Sequence, residues 1–273
     1  MPTSFSDWCL YRGVTCDSNN QSSTYHYVTG IKLHFANGDL NGTDSRRQLP
    51  YGIGYFPALQ SLDLYNAFEG GTMPDSIGNL QALTYLDVRG NSFSGPVPDS
   101  IGNLEALTYL DVRGNSFTGP MPDSIGYLTA LTFLDLGYNY FFSSIPSSIG
   151  YLTALEELTF RANELTGTVP SSFSKLTNLK SLYLEDNYLT AGPSGVLSED
   201  TFSDTTSVFV DGNCLQFRGV IGTNCERKFE SVMTLKYCIQ TIFTADSLHL
   251  WHSNSRHIIP NDFSVRVSIN LLS

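Results

Sequence analysis

Gln81–Leu104 reads QALTYLDVRGNSFSGPVPDSIGNL, and Glu105–Leu128 follows without a gap as EALTYLDVRGNSFTGPMPDSIGYL. Thr129–Leu152 (TALTFLDLGYNYFFSSIPSSIGYL) and Thr153–Leu176 (TALEELTFRANELTGTVPSSFSKL) keep the same 24-residue frame. Successive copies at one fixed period are the mark of a solenoid, and no other feature of the chain outranks them. A further copy opens at Thr177 as TNLKSLYLEDNYLT, then carries an insertion before a final turn at 208–213. Upstream, Pro57–Leu80 fits the frame with an imperfect Asn position, and a divergent coil starts near Val28. Residues 28–206 thus make roughly seven coils, of a kind stable only when stacked.

Within a copy the pattern L-x-x-L-x-L directs Leu83, Leu86 and Val88 inward. Its L-x-L part alternates with period two, as a strand with one buried face requires. One such strand cannot bury itself. Neighbouring copies supply the missing wall by stacking strand on strand at about 4.8 Å. The expected fold is an α/β solenoid, a right-handed superhelix with a parallel β-sheet on its concave side. The column Asn91, Asn115, Asn139, Asn163, Asn187 and Asn213 closes the strands. An Asn amide offers two donors and an acceptor to main-chain groups bared where the chain turns. Leaving such groups dry costs about 1–3 kcal/mol each, so this ladder is read as structural. Gly95-Pro96-Val97-Pro98, Gly119-Pro120-Met121-Pro122 and Gly167-Thr168-Val169-Pro170 follow. Proline removes a donor and fixes φ, so these segments are expected to be extended and sparsely hydrogen-bonded. The pairs Ile77-Gly78, Ile101-Gly102, Ile125-Gly126 and Ile149-Gly150 are expected in a short helical or 3-10 turn on the convex side.

The whole chain of 273 residues has 15 Lys and Arg against 26 Asp and Glu, a net charge of −11. Neutralising phosphates takes clustered cations, so no nucleic-acid partner is expected. The same deficit argues against adhesion to anionic lipid. No apolar run approaches the roughly 18 residues that a membrane span needs. Met1-Pro2-Thr3-Ser4-Phe5 leads directly into Asp7-Trp8-Cys9, with no secretory leader. Of the five cysteines, Cys9, Cys16, Cys214 and Cys225 form two local pairs at opposite ends of a cysteine-free middle, and Cys238 is left over. Paired cysteines at both ends suggest capping disulfides and an oxidising compartment.

The phrase LxxLxxLDVxxNxFxGPxPxSIGxL resembles the plant-type extracellular leucine-rich repeat, found in receptor-like kinase ectodomains, receptor-like proteins and polygalacturonase-inhibiting proteins. The resemblance covers about residues 5–228. Asp7-Trp8-Cys9 with Tyr11-Arg12-Gly13-Val14-Thr15-Cys16 looks like the family's amino-terminal cap, with Tyr where Trp is usual. Gly212-Asn213-Cys214 through Cys225 looks like its carboxy-terminal cap. The resemblance therefore implies a cap over 1–27, repeats over 28–206, a second cap over 207–228, and bridges Cys9–Cys16 and Cys214–Cys225. Residues 229–273 match nothing in the family and are read as a docking segment, a disordered extension or a mistranslated gene-model end. The family's role implies a secreted or cell-wall module that binds an extracellular protein, peptide or cell-wall polysaccharide without catalysis. A structural or adhesive wall protein is the alternative. An ice-binding protein is a weaker one, resting on the column Thr84, Thr108 and Thr132.

No residue set points to chemistry. Cys238 and His249 lack an evident pocket, and His249, His252 and His257 fit no standard metal spacing. Gly52-Ile53-Gly54 reads as a turn, since no basic helix start follows it. No cofactor, no metal and no enzymatic activity are expected. Asn20-Gln21-Ser22 and Asn41-Gly42-Thr43 are glycosylation sequons in polar, non-repeating stretches.

The outward strand positions carry the functional expectation. They align Tyr85, Tyr109 and Phe133 in one column and Asp87, Asp111 and Asp135 in the next. Arg89, Arg113 and Arg161 follow, with Tyr138 beside them. Exposed aromatics and Arg are the residue types that dominate binding surfaces. Against this, Asp is the family's common residue at its column, and near-identity of two copies makes ladders by duplication alone.

Overall fold

The computed structural model describes residues 13–17, 27–33, 48–190, 206–213, 216–217 and 220–221. Cys9, Cys214, Cys225, Cys238, the sequons at Asn20 and Asn41, and the tail 229–273 lie outside them. Cys16 is disulfide-bonded.

Each coil contributes one short strand, three residues long except for Val28–Lys32, to a nine-stranded sheet. Its order is Val14–Cys16, Val28–Lys32, Ser61–Asp63, Tyr85–Asp87, Tyr109–Asp111, Phe133–Asp135, Glu157–Thr159, Ser181–Tyr183 and Ser207–Phe209. Val14–Cys16 runs antiparallel to Val28–Lys32, and every later pairing is parallel. Register follows the repeat: Leu86 faces Leu110, which faces Leu134, which faces Leu158. A constant offset turns every sequence column into a spatial ladder. The inward columns form one continuous core in which Leu83, Leu86, Val88 and their counterparts are fully buried. Phe93, Phe117 and Phe141 stack through it with ring centroids 6.0 and 6.2 Å apart.

The convex side is built of 3-10 helices at Tyr51–Tyr55, Asp75–Asn79, Asp99–Asn103, Asp123–Tyr127, Ser147–Tyr151 and Ser171–Lys175. Each follows a proline, from Pro50 to Pro170, whose fixed φ sets the chain up for the turn. The glycine of each Ile-Gly pair marks a close approach between coils. A Cβ on Gly102 would lie 2.6 Å from the Ser124 carbonyl oxygen, and one on Gly126 would lie 2.5 Å from that of Ser148.

Between the two sides lies a second parallel sheet of Ser94–Gly95, Ser116–Gly119, Tyr140–Ser144, Glu164–Thr168 and Tyr188–Thr190. The segments expected to be sparsely bonded begin at Gly95, Gly119 and Gly167, and the sheet enters them only as far as Gly95, Gly119 and Thr168. Proline sets these limits. The strand stops at Gly119, just before Pro120, but runs on to Ser144 and Thr168 where the corresponding residue has an N–H to donate.

The Asn column joins the two sheets. Asn115 Nδ2 donates to the Val88 and Val112 carbonyls, both at 2.9 Å, and its Oδ1 accepts from the Phe93 N–H at 3.0 Å. Asn91, Asn139, Asn163, Asn187 and Asn213 repeat the arrangement, each buried. In the coil of Pro57–Leu80 the ladder position is Ala67, whose N–H donates to Asn91 Oδ1 at 2.7 Å. The residue preceding the ladder position has left-handed φ in every described coil: Asn66, Gly90, Gly114, Tyr138, Ala162, Asp186 and Gly212. Turning out of the strand demands it, whether or not glycine is there to lower the strain.

Candidate functional site

The outward face of the large sheet carries three adjoining columns. In the first, Tyr85 stacks on Tyr109 and Tyr109 on Phe133, each pair with ring centroids 4.5 Å apart and nearly parallel planes. Read from the sequence these rings are exposed; in the structure they are half-buried. The reason is the strand spacing, which brings flat side chains on neighbouring strands into face contact. Tyr109, sandwiched on both sides, is as much a stabilising residue as a surface one.

In the second column Asp87, Asp111 and Asp135 point away from the core yet are almost inaccessible. Each Oδ1 accepts the N–H two residues on, from Arg89 at 3.0 Å, Arg113 at 3.1 Å and Gly137 at 2.8 Å. The Oδ2 atoms meet the arginines of the third column. Arg89 bridges Asp87 (3.3 Å) and Asp111 (3.6 Å), and Arg113 bridges Asp111 (3.6 Å) and Asp135 (3.3 Å). The result is an alternating chain of charges across three coils, with three carboxylates to two guanidinium groups. The Tyr85 and Tyr109 hydroxyls also donate to Asp87 and Asp111, both at 3.4 Å. Burial pushes the Asp111 carboxyl up from an ordinary 3.8 to about 6, and neighbouring Asp135 adds to the rise while Arg113 opposes it. Asp87 and Asp135 shift upward too, again through burial first. Burial likewise raises the Tyr109 hydroxyl, and the Asp111 charge adds to it.

Beyond the arginines the face opens into a shallow groove of about 490 Å³ lined by Tyr65, Arg89, Gly90, Arg113, Gly114 and Tyr138. Its floor is the left-handed turn column, which carries glycine in two consecutive coils. A Cβ on Gly114 would meet nothing nearer than 3.6 Å, so that stretch of floor is open. Tyr65 closes one end and carries the Arg89 guanidinium over its ring at 5.0 Å. Tyr138 closes the other, with Arg161 over its ring at 5.6 Å and within 3.8 Å of Asp186. The ends lie three strand spacings apart, about 14 Å. The structure thus brings Arg89, Arg113 and Tyr138 to the groove and places Arg161 behind Tyr138. Tyr85, Tyr109 and Phe133 stand on the far side of the Asp column. Gly90 and Gly114 escaped the sequence reading; two successive glycines before Asn91 and Asn115, where Tyr138 precedes Asn139, were the available signal. Among the described residues no group of three His, Cys, Asp or Glu is placed to hold a metal ion.

Comparison with known proteins agrees with this architecture. A family model described as leucine rich repeat matches residues 82–141 and 129–189. No curated protein sequence matches the chain. Among solved structures, PEPR1–AtPEP1 shares 32% identity and a TM-score of 0.62 over 76% of this chain and 27% of that one. The plant peptide hormone receptor RGFR1 in complex with RGF2 shares 25% and 0.55, over 62% of this chain and 29% of that one. A plant ice-binding protein shares 26% and 0.64, over 77% and 63%. This chain therefore spans less than a third of either of the first two, and under two thirds of the last. It is a leucine-rich-repeat solenoid. Its repeats are of the plant extracellular type, the type that builds plant receptor ectodomains.

Proposed function

We propose that this chain is a non-catalytic extracellular recognition module that binds an extended peptide segment along the concave face. The groove between Tyr65 and Tyr138 carries the reading. It presents half-exposed guanidinium groups and two aromatic ends around an open glycine floor. At about 3.3 Å per extended residue, its length suits about four residues of peptide backbone. In this reading Arg89, Arg113 and Tyr138 touch the ligand, with Arg161 backing Tyr138. Asp87, Asp111 and Asp135 hold the arginines in place. Tyr85, Tyr109 and Phe133 form the wall on the other side. Pre-set arginines cost less to order on binding than free ones, which favours affinity. The likeness to a peptide hormone receptor complex supports a peptide over a polysaccharide in this groove.

Selection from a displayed library of secreted peptides tests the reading. Enriched peptides should lose affinity at least tenfold on Arg113→Ala and again on Tyr138→Ala, as for anchors costing about 2 kcal/mol. Failure to enrich any peptide, or affinity indifferent to Tyr65, Arg113 and Tyr138 changed together, would discard it.

The ice-binding neighbour brings a second reading, carried by Thr84, Thr108 and Thr132. These are exposed and repeat once per strand, but each hydroxyl donates to a carbonyl of the preceding coil, and the row ends at Gln60 and Glu156. Thermal hysteresis in the wild type that vanished on Thr108→Val would favour it.

A further inference from the structure

The coil Thr129–Leu152 differs from Glu105–Leu128 chiefly where side chains face outward. Inside, Val112 becomes Leu136, Met121 becomes Ile145, and Phe117 stays aromatic as Phe141. On the outer face of the second sheet, Ser116 becomes Tyr140 and Thr118 becomes Phe142. Copies of one coil in one chain are internal controls. The preceding coil builds the same strand with Ser and Thr, so folding does not explain the aromatics. Tyr140 is 52% exposed and Phe142 48%. They alternate on the strand Tyr140–Ser144, which places them about 7 Å apart on one face. The same coil holds Ser143 at φ 75, where Gly95, Gly119 and Gly167 stand in its neighbours. Left-handed non-glycine residues carry strain, and strain gathers at functional places.

The surroundings select the partner. In the five strands of this sheet Glu164 is the one charged residue, so neither a strongly acidic nor a strongly basic partner finds its complement. The exposed large hydrophobic residues of the described structure are all Tyr or Phe, with no aliphatic side chain to widen an apolar protein interface. Register sets Thr118 beside Tyr140, Glu164 beside Phe142 and Thr166 beside Ser144. Thr118, Ser144 and Thr166 are exposed residues. Covering them with an apolar surface would leave polar groups buried without partners. Flat aromatic rings rimmed by open hydroxyls fit a ligand with apolar C–H faces and hydroxyl edges, which is the chemistry of an uncharged sugar chain.

We propose that this face of the second sheet binds a neutral polysaccharide through Tyr140 and Phe142, independently of the concave groove. Affinity electrophoresis of the full chain tests it, in gels holding hydroxyethylcellulose, xyloglucan, laminarin or galactomannan, with polygalacturonate as the acidic control. At least one neutral polymer should retard the protein, and polygalacturonate should not. The double change Tyr140→Ser with Phe142→Thr restores the residues of the preceding coil and should keep the fold by circular dichroism. It should weaken retardation at least about tenfold, as expected when hot-spot aromatics are removed. Arg113→Ala, in the concave groove, should leave retardation unchanged, so the two sites fail or stand separately. The proposal is overturned if no neutral polymer retards the wild type, or if the double variant is retarded equally. Sedimentation that showed the double change abolishing self-association, without any retardation, would make the stripe a contact between copies and would also overturn it.

Discussion

Asn115 bonds to Val88, Phe93, Val112 and Arg113, so two of its four partners belong to the coil before its own. Its loss therefore frees main-chain groups in two coils at once. Asn115→Ala should lower stability by about 1–3 kcal/mol, read from the midpoint of chemical denaturation. Asn103→Ala, on the exposed end of a 3-10 helix, should stay within about 0.5 kcal/mol of the wild type. Asp111 makes a different prediction. Its carboxyl holds a proton up to about pH 6 in the folded chain, against about 3.8 when unfolded. Between those values the folded state binds more protons, so this residue's contribution to stability is greatest below 3.8 and declines as pH rises through 6. Asp111→Asn removes the titration. Denaturation midpoints of the wild type should fall relative to the variant between about pH 4 and 6, and parallel curves would refute the assignment.

At the scale of the element, the convex 3-10 helices pack so closely that glycine is required by space. A Cβ on Gly102 would sit 2.6 Å from Ser124 O and 2.7 Å from Ser124 Cβ, and the first of these is main chain that cannot swing aside. Gly102→Ala should force the coils apart and cost about 1–3 kcal/mol, as overpacking does. Gly70 has nothing within 4 Å of such a Cβ and no left-handed φ, so Gly70→Ala should be neutral or gain up to about 1 kcal/mol. Equal thermal shifts for the two variants would show that coil spacing tolerates the methyl group. The second sheet obeys an equally local rule: its strands end where proline begins and lengthen where Ser144 or Thr168 takes that place.

At the scale of the whole molecule, the described coils pack strand on strand and helix on helix in sequence order, and stability should behave as a sum along one dimension. Leu86 and Leu110 face each other across adjacent strands, whereas Leu62 and Leu158 are four strands apart, and all four are fully buried. Double-mutant cycles to Ala in urea should give a coupling of about 0.5–3 kcal/mol for the first pair. For the second pair the single effects should add within roughly 0.5 kcal/mol. Comparable coupling in both would mean that distortion spreads along the solenoid, contrary to nearest-neighbour packing. The same one-dimensional order creates the concave face, because a ligand there must span several coils to find Tyr65, Arg89, Arg113 and Tyr138 together.

What the sequence alone determined is whatever depends on one coil and its period. Leu83, Leu86 and Val88 announce a strand with one buried face, the Asn column announces the turn, and the repeat type follows from the phrase itself. The tertiary structure decided what depends on how coils lie against each other. Linear order could not say that Asp111 is buried beneath Arg89 and Arg113, that Tyr109 is sandwiched, or that Gly102 makes room for Ser124. Nor could it say that the opening lies over Gly90 and Gly114, one column beyond the aromatic ladder. Those outcomes turn on distances between side chains 24 residues apart or nearly so, set by strand spacing and by the left-handed turn before each Asn. A periodic sequence states which residues share a column, but only stacking determines which column is covered and which is left open.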